Sequence, residues 1–335
     1  MSRLRFFSLI ILFYSIAMSC WLLQADPQST SNTSTAERSS EDNTFAQIEA
    51  LITSKKYAAA ESLVESCIIQ GTPTALAYAR MGRIYLDRNE WSRAADYLQK
   101  SLKTEDGNDQ AYLFLGLAHR ELKEPEEAEE EFIKAATLNP RSDVNAYFAG
   151  QQLLFNHKFD AALSYFYEAL KLNPRNASAY RALGSTQVRL GNYGLAEQYY
   201  RKSVELLGDS KLSDSASLLD LTVVLLLGHN PEKVEEALKL ARRAAVMQAS
   251  SADAHYLAGK ALMKQGRVED ALPELRLAAQ LNPKDSKAHF QLALAYERLG
   301  DKAKARAERQ ELAKTKHGAD QQGMASEGVL PRIPE

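Results

Sequence analysis

The chain has 335 residues, of which 45% are hydrophobic, 25% charged and 8% aromatic. With a mean hydropathy of -0.36, this excludes both a wholly disordered chain and a polytopic membrane protein. Lys plus Arg number 41 against 43 for Asp plus Glu, a balance that argues against a dedicated nucleic-acid binder, whose domain is strongly basic. Two cysteines, Cys20 and Cys67, cannot build a disulfide framework or a four-thiolate zinc site.

Residues 1–25 place Arg3 and Arg5 ahead of an apolar run from Phe6 to Leu23. That asymmetry suits export, because the cationic end stays cytoplasmic while the apolar core inserts. Three fates fit the run: cleavage after Ala25, lipidation at Cys20 within the loose lipoprotein box Ala17-Met18-Ser19-Cys20, or retention as a membrane anchor. Residues 26–40 are rich in Ser and Thr and read as a disordered tether. The end of the chain, 320–335, reads as a flexible tail. Asn32-Thr33-Ser34 and Asn176-Ala177-Ser178 match the N-glycosylation pattern, a pattern common by chance.

The middle repeats itself. Ala60, Ala94, Ala128, Ala162 and Ala196 are each 34 residues apart, and Ala237, Ala271 and Ala305 follow at 41, 34 and 34. Twelve residues before the alanine stands a glycine in most copies: Gly82, Gly116, Gly150, Gly184 and Gly259. Four residues after it lie Leu98, Phe132, Phe166, Tyr200 and Leu275. The tripeptide Leu-Asn-Pro closes three copies, at Pro140, Pro174 and Pro283. Apolar spacings of three and four predict helices, and the prolines stop each second helix. A glycine inside a helix costs ~1 kcal/mol relative to alanine, so its recurrence predicts close backbone approach.

This pattern resembles the tetratricopeptide repeat family, most closely at Tyr78 to Tyr85, at Tyr180 to Gly184, and at Tyr112, Leu115, Gly116, Ala128, Phe132, Ala135 and Pro140. The resemblance implies an all-α fold, an α-solenoid forming a right-handed superhelix of about eight helix hairpins. The expected units are 41–74, 75–108, 109–142, 143–176, 177–210, 211–251, 252–285 and 286–319, together a solenoid over 41–319. Repeat six is seven residues too long, so its register is open.

No nucleotide fingerprint, P-loop, HExxH, G-x-S-x-G or EF-hand loop is present. His255 and His289 share one repeat position, held elsewhere by Tyr78, Tyr112 and Tyr180, and read as packing residues rather than metal ligands. Glu124 to Glu131 holds six glutamates, a charge pattern suited to a helix start. No cofactor, no metal and no catalytic residue is expected.

The family resemblance further implies that the first helix of each unit lines a groove for an extended peptide or a partner helix. Residue by residue, the matching positions are Arg83, Leu117, Arg120, Tyr147, Gln151, Leu154, Phe155, Arg181, Ser185 and Arg189, then Tyr256, Lys260, Lys264, Phe290 and Arg298. Tyr147, Leu154 and Phe155 suit apolar anchors, and the cations suit carboxylates. The expectation is a non-catalytic scaffold outside the cytoplasm (periplasmic, extracellular or membrane-anchored), binding a protein or peptide and no nucleic acid. A class of envelope, pilus or secretion assembly is plausible from the resemblance. An enzyme on a helical solenoid and a self-assembling structural protein are the alternatives.

Overall fold

The computed structural model describes residues 35–71, 74–208, 215–228 and 230–321, with side chains between 43 and 314. The N-terminal apolar run, Cys20 and the chain after 321 lie outside the described residues. Among the described residues every regular element is a helix. In order they are α1 Thr35–Thr53, α2 Tyr57–Gln70, α3 Thr74–Asp87, α4 Trp91–Thr104, α5 Asp109–Leu122, α6 Pro125–Leu138, α7 Asp143–Phe155 and α8 Phe159–Leu172. Then come α9 Ala177–Arg189, α10 Tyr193–Leu207, α11 Ser215–Leu225, α12 Pro231–Met247, α13 Ala252–Lys264, α14 Val268–Leu281, α15 Ser286–Arg298 and α16 Lys302–Gln321. Helix α1 thus begins inside the stretch read as a tether.

The chain divides into two compact units, 1–152 and 153–335. In the first, α1 to α6 pack in sequence order, and α3 also touches α5. In the second, α8 to α16 do the same, with α11 touching α13 and α13 touching α15. First helices therefore neighbour first helices, because a lone hairpin cannot bury its apolar face.

In four hairpins the tight point is the glycine predicted from sequence. A Cβ added to Gly82 would lie 2.5 Å from Leu98 Cγ, and one on Gly116 would lie 2.9 Å from the Phe132 ring. At Gly184 it would sit 2.6 Å from the Tyr200 ring, and at Gly259 2.5 Å from Leu275 Cγ. The large residue of the second helix thus fills the space that the missing side chain leaves. Ala60, Ala94, Ala128, Ala162, Ala196 and Ala271 are all buried. Where serine replaces the small residue further along the second helix, its hydroxyl is satisfied locally. Ser101 Oγ donates to the Ala75 carbonyl at 2.6 Å, and Ser203 Oγ to the Ala177 carbonyl at 2.8 Å.

The turn inside the hairpin is equally regular. Lys55, Asn89, Lys123, His157, Gly191, Gly266 and Gly300 each adopt a left-handed backbone, with φ between 59° and 79°. The turn needs that conformation whatever residue occupies it, and four copies meet the need without glycine. First helices are then capped by side chains: Asn108, Asn176, Ser251 and Asp285 accept from Ala111, Ala179, Ala254 and Lys287 backbone N–H groups. Asn176 is thereby committed to a structural bond. Helix α6 starts at Pro125 with Glu126 and Glu127 in its first turn, as the macrodipole favours.

Repeat six shows where its seven extra residues go. Helices α9 and α11 begin at Ala177 and Ser215, four residues beyond one period. Helix α12 then runs 17 residues where α14 runs 14. The sequence expectation paired Ala237 with Ala196, but Val234 holds that place. It lies three residues after Pro231, as Ala196 lies three after Tyr193, and it is buried. Ala237 keeps the period only when counted back from Met247, so a three-residue lengthening of the helix hides the shift. Thr222 stands seven residues after Ser215, as Gly184 stands after Ala177. It is buried, and its hydroxyl donates to the Leu218 carbonyl at 2.7 Å.

Two substitutions separate close approach from helix propensity. Gly184→Ala is expected to lower the unfolding free energy by about 1–3 kcal/mol through overpacking against Tyr200. Gly194→Ala, also helical but with nothing within 4 Å of the new Cβ, is expected to raise it by up to ~1 kcal/mol. Urea midpoints moving the same way for both would disprove the packing account. At the turn, Lys123→Gly relieves a left-handed lysine with φ of 66° and is expected to raise the midpoint by an equivalent of ~1 kcal/mol.

Candidate functional site

In the first unit, the expected contact residues on α3, α5 and α7 are largely committed to contacts within the fold. Arg83 Nη1 meets Glu49 Oε2 at 2.5 Å, and its guanidinium also lies 6.0 Å from the centre of the Phe114 ring. At 7% exposure it is part of the core wall. Arg80 Nε adds a second ion-pair contact to Glu49, at 2.5 Å. The Arg120 guanidinium lies over the Phe132 and Phe148 rings at 5.7 and 5.6 Å, a cation–π arrangement that holds it flat. Leu117 is half-buried against the core, and Gln151 Nε2 donates to Tyr147 Oη at 2.6 Å.

Asp87 ends α3 one turn beyond Arg83. Burial pushes its carboxyl up to about 6, Arg83 opposing and Glu49 reinforcing the shift. The folded chain therefore keeps a proton that the unfolded chain sheds near the ordinary value of 3.8. More protons bound in the folded state means that this group's contribution to stability falls as pH rises from about 4 to about 6. Asp87→Asn is expected to shrink the loss of urea midpoint across that window. Equal losses in variant and parent would refute the assignment.

In the second unit the first helices are α9, α11, α13 and α15, preceded by the end of α7. Phe155 is 59% exposed and Phe290 48% exposed. Leu154, Tyr256 and Leu294 are half-buried. Leu219 and Val223 supply the α11 part of the same face and pack partly on the core; the open register of repeat six hid them from sequence reading.

The cations of this face differ sharply in their commitments. Arg181 Nε pairs with Asp220 Oδ2 at 2.6 Å. Lys264 Nζ donates to the Gly228 carbonyl at 3.1 Å, and Arg298 Nη1 to the Met263 carbonyl at 3.0 Å. Met263 is the penultimate residue of α13, so Arg298 caps that helix C-terminus, while Gly228 lies in the turn three residues beyond α11. Ser185 Oγ lies 3.1 Å from both the Arg181 carbonyl and Tyr200 Oη. Arg189 is exposed. Lys260 is half-buried, with its ammonium 6.0 Å from the centre of the Tyr256 ring. Burial pushes that ammonium below the ordinary lysine value, and the charges of Lys264 and Lys287 act in the same direction. Tyr256 is pushed up to about 12, by burial first and then by Asp285 and Asp253.

The two histidines form a repeated structural pair. His255 Nδ1 lies 2.7 Å from Glu274 Oε2, and His289 Nδ1 lies 2.8 Å from Glu308 Oε2. Each joins the first to the second helix of its own hairpin. Among the described residues no group of three or more His, Cys, Asp or Glu side chains is placed to hold a metal ion. No helix among them is long and apolar enough to cross a membrane.

Stacked hairpins of this geometry define a repeat protein of the α-solenoid class. Family models described as tetratricopeptide repeats match residues 79–143, 149–210 and 287–314, and a model described as a TPR repeat matches 259–300. The chain belongs to the tetratricopeptide repeat family. The anaphase-promoting complex subunit CDC16 of Saccharomyces cerevisiae is 24% identical over 229 residues, covering 67% of this chain and 27% of that protein. This chain thus spans about a quarter of that relative's length. The Cut9–Hcn1 hetero-tetramer structure of the anaphase-promoting complex is similar, with a TM-score of 0.61, 16% identity, and coverage of 74% of this chain and 48% of that one. PilW, described as a widely conserved type IV pilus biogenesis factor, matches with a TM-score of 0.56, 19% identity, and coverage of 64% and 97%. At such identities the structural likeness speaks to fold alone.

Proposed function

We propose that this chain is a non-catalytic protein-interaction scaffold, exported from the cytoplasm, whose first-helix face in the second unit receives an extended segment or a helix of a partner. The carrying observation is Phe155 and Phe290, large apolar side chains that the fold leaves about half exposed on first helices. Between them in sequence, Leu219, Val223 and Tyr256 continue the apolar character. Rigid aromatic anchors beside half-buried aliphatic residues suit helix-in-groove or extended-segment recognition. Ile69 and Val246 are still more exposed, but each stands singly near the end of a second helix, a common surface feature.

The cationic start and apolar run of residues 3–23 support export. The likeness to a pilus biogenesis factor is compatible with a place in envelope, pilus or secretion assembly. The relative named as a subunit of the anaphase-promoting complex supports the broader role of holding proteins together.

Placing a photo-crosslinking benzoylphenylalanine at Phe290, and separately at Lys239, tests the face in intact cells. Lys239 lies on the second helix α12 with its side chain 73% exposed. The expected outcome is a discrete adduct in the envelope fraction from position 290 and none from position 239. Equal yields from both, or no adduct from position 290, would end this reading.

A further inference from the structure

Lys260 is a half-buried cation on this face with no acceptor among the described residues, whereas Arg189 is exposed. Arg181, Lys264 and Arg298 are engaged by Asp220, the Gly228 carbonyl and the Met263 carbonyl. Among the described residues no carboxylate lies within ion-pair distance of Lys260; its contact is the Tyr256 ring, 6.0 Å from the ammonium to the ring centre. At the ninth residue of the neighbouring first helices, the place that Lys260 holds on α13, the residues on either side are apolar. Val223 occupies that place on α11 and Leu294 on α15, and both pack partly on the core. The exposed Phe290 stands one turn before Leu294.

Half-burying an ammonium among apolar neighbours is unfavourable unless a counter-charge is supplied. Lys264 and Lys287 add repulsion. An incoming carboxylate relieves both costs and makes a charge-assisted hydrogen bond in a partly desolvated place, where such bonds are strongest. The flanking surface at the same time rewards burial of aliphatic and aromatic side chains.

Building on the reading that this face receives a partner segment, we propose that it selects a protein segment that is apolar apart from one Asp or Glu side chain, whose carboxylate pairs with the Lys260 ammonium between Val223, Leu294 and Phe290. The selectivity arises because the neighbouring Lys264 and Lys287 are engaged by the Gly228 carbonyl and Asp285, which leaves one ammonium to be matched beside apolar places, so a segment dense in acidic residues is a poor ligand. Its flanking carboxylates would lose hydration without finding partners.

The test is fluorescence anisotropy on the full-length protein with short labelled peptides of Leu, Phe, Ala and Ser. One set carries a single central Glu and an amidated C-terminus. A second replaces Glu by Gln, and a third joins that Gln sequence to a free terminal carboxylate. The Glu peptides are expected to bind at least about tenfold more tightly than their Gln counterparts, roughly the effect of one charge-assisted bond. Lys260→Met should erase that ratio, Lys260→Arg should keep most of it, and Lys239→Met on α12 should leave it unchanged. Circular dichroism and urea midpoints confirm that the variants fold. Equal affinity for Glu and Gln peptides overturns the proposal, as does discrimination that survives Lys260→Met, preference for the free terminus, or no binding at all. Crosslinking from position 290 reads the underlying face independently, so loss of carboxylate selection with that crosslink retained removes only this inference.

Discussion

The architecture depends on how closely two helices of a hairpin approach. Gly82, Gly116, Gly184 and Gly259 leave space that Leu98, Phe132, Tyr200 and Leu275 fill almost to contact with the backbone. The bulk of each second helix is thereby turned inward against the first. Successive hairpins then pack in order within each unit, and first helices come to lie beside first helices. The other face of those first helices is not needed for the hairpin's own core. In repeat six Thr222 occupies the glycine's place and turns its hydroxyl back to the Leu218 carbonyl, so a small polar residue serves where bulk is excluded.

Charge on that face is mostly internal bookkeeping. Arg83 and Arg80 share Glu49 in the first unit. In the second, Arg181 neutralises Asp220, while Lys264 and Arg298 bind backbone carbonyls. A reading of the face from residue types alone sees a row of cations and infers a taste for acidic ligands. Geometry removes most of that row and leaves an apolar face with few uncommitted positive charges.

The hairpins, their order and their turns were legible in the sequence because each is fixed by local rules that recur every 34 residues. A glycine, an alanine twelve residues later and a Leu-Asn-Pro ending suffice. Repeat six was legible only in part. Its extra residues split between the connection before α11 and the length of α12, and the second insertion restored the alanine count while moving Val234 into the structural place. The individual fates of the cations were not legible. Nothing in the local pattern distinguishes Lys264, whose acceptor is a carbonyl 36 residues earlier, from Lys260, which has none among the described residues. The offset itself is the usable signal: Arg243 to Gly208 and Arg298 to Met263 both span 35 residues.

Those offsets mean that helix ends and the turns beyond them are finished by the following repeat. The carbonyls of Gly208, Gly228 and Met263 each receive a proton donor from a side chain one period downstream. These three bonds to backbone carbonyls all run in one direction, like overlapping roof tiles fastened by the course laid above. Shearing away α15 and α16 would strip more than two helices: it would also unfasten the end of α13 by withdrawing Arg298. Loosening that starts at the C-terminal edge consequently has a built-in route inward, repeat by repeat.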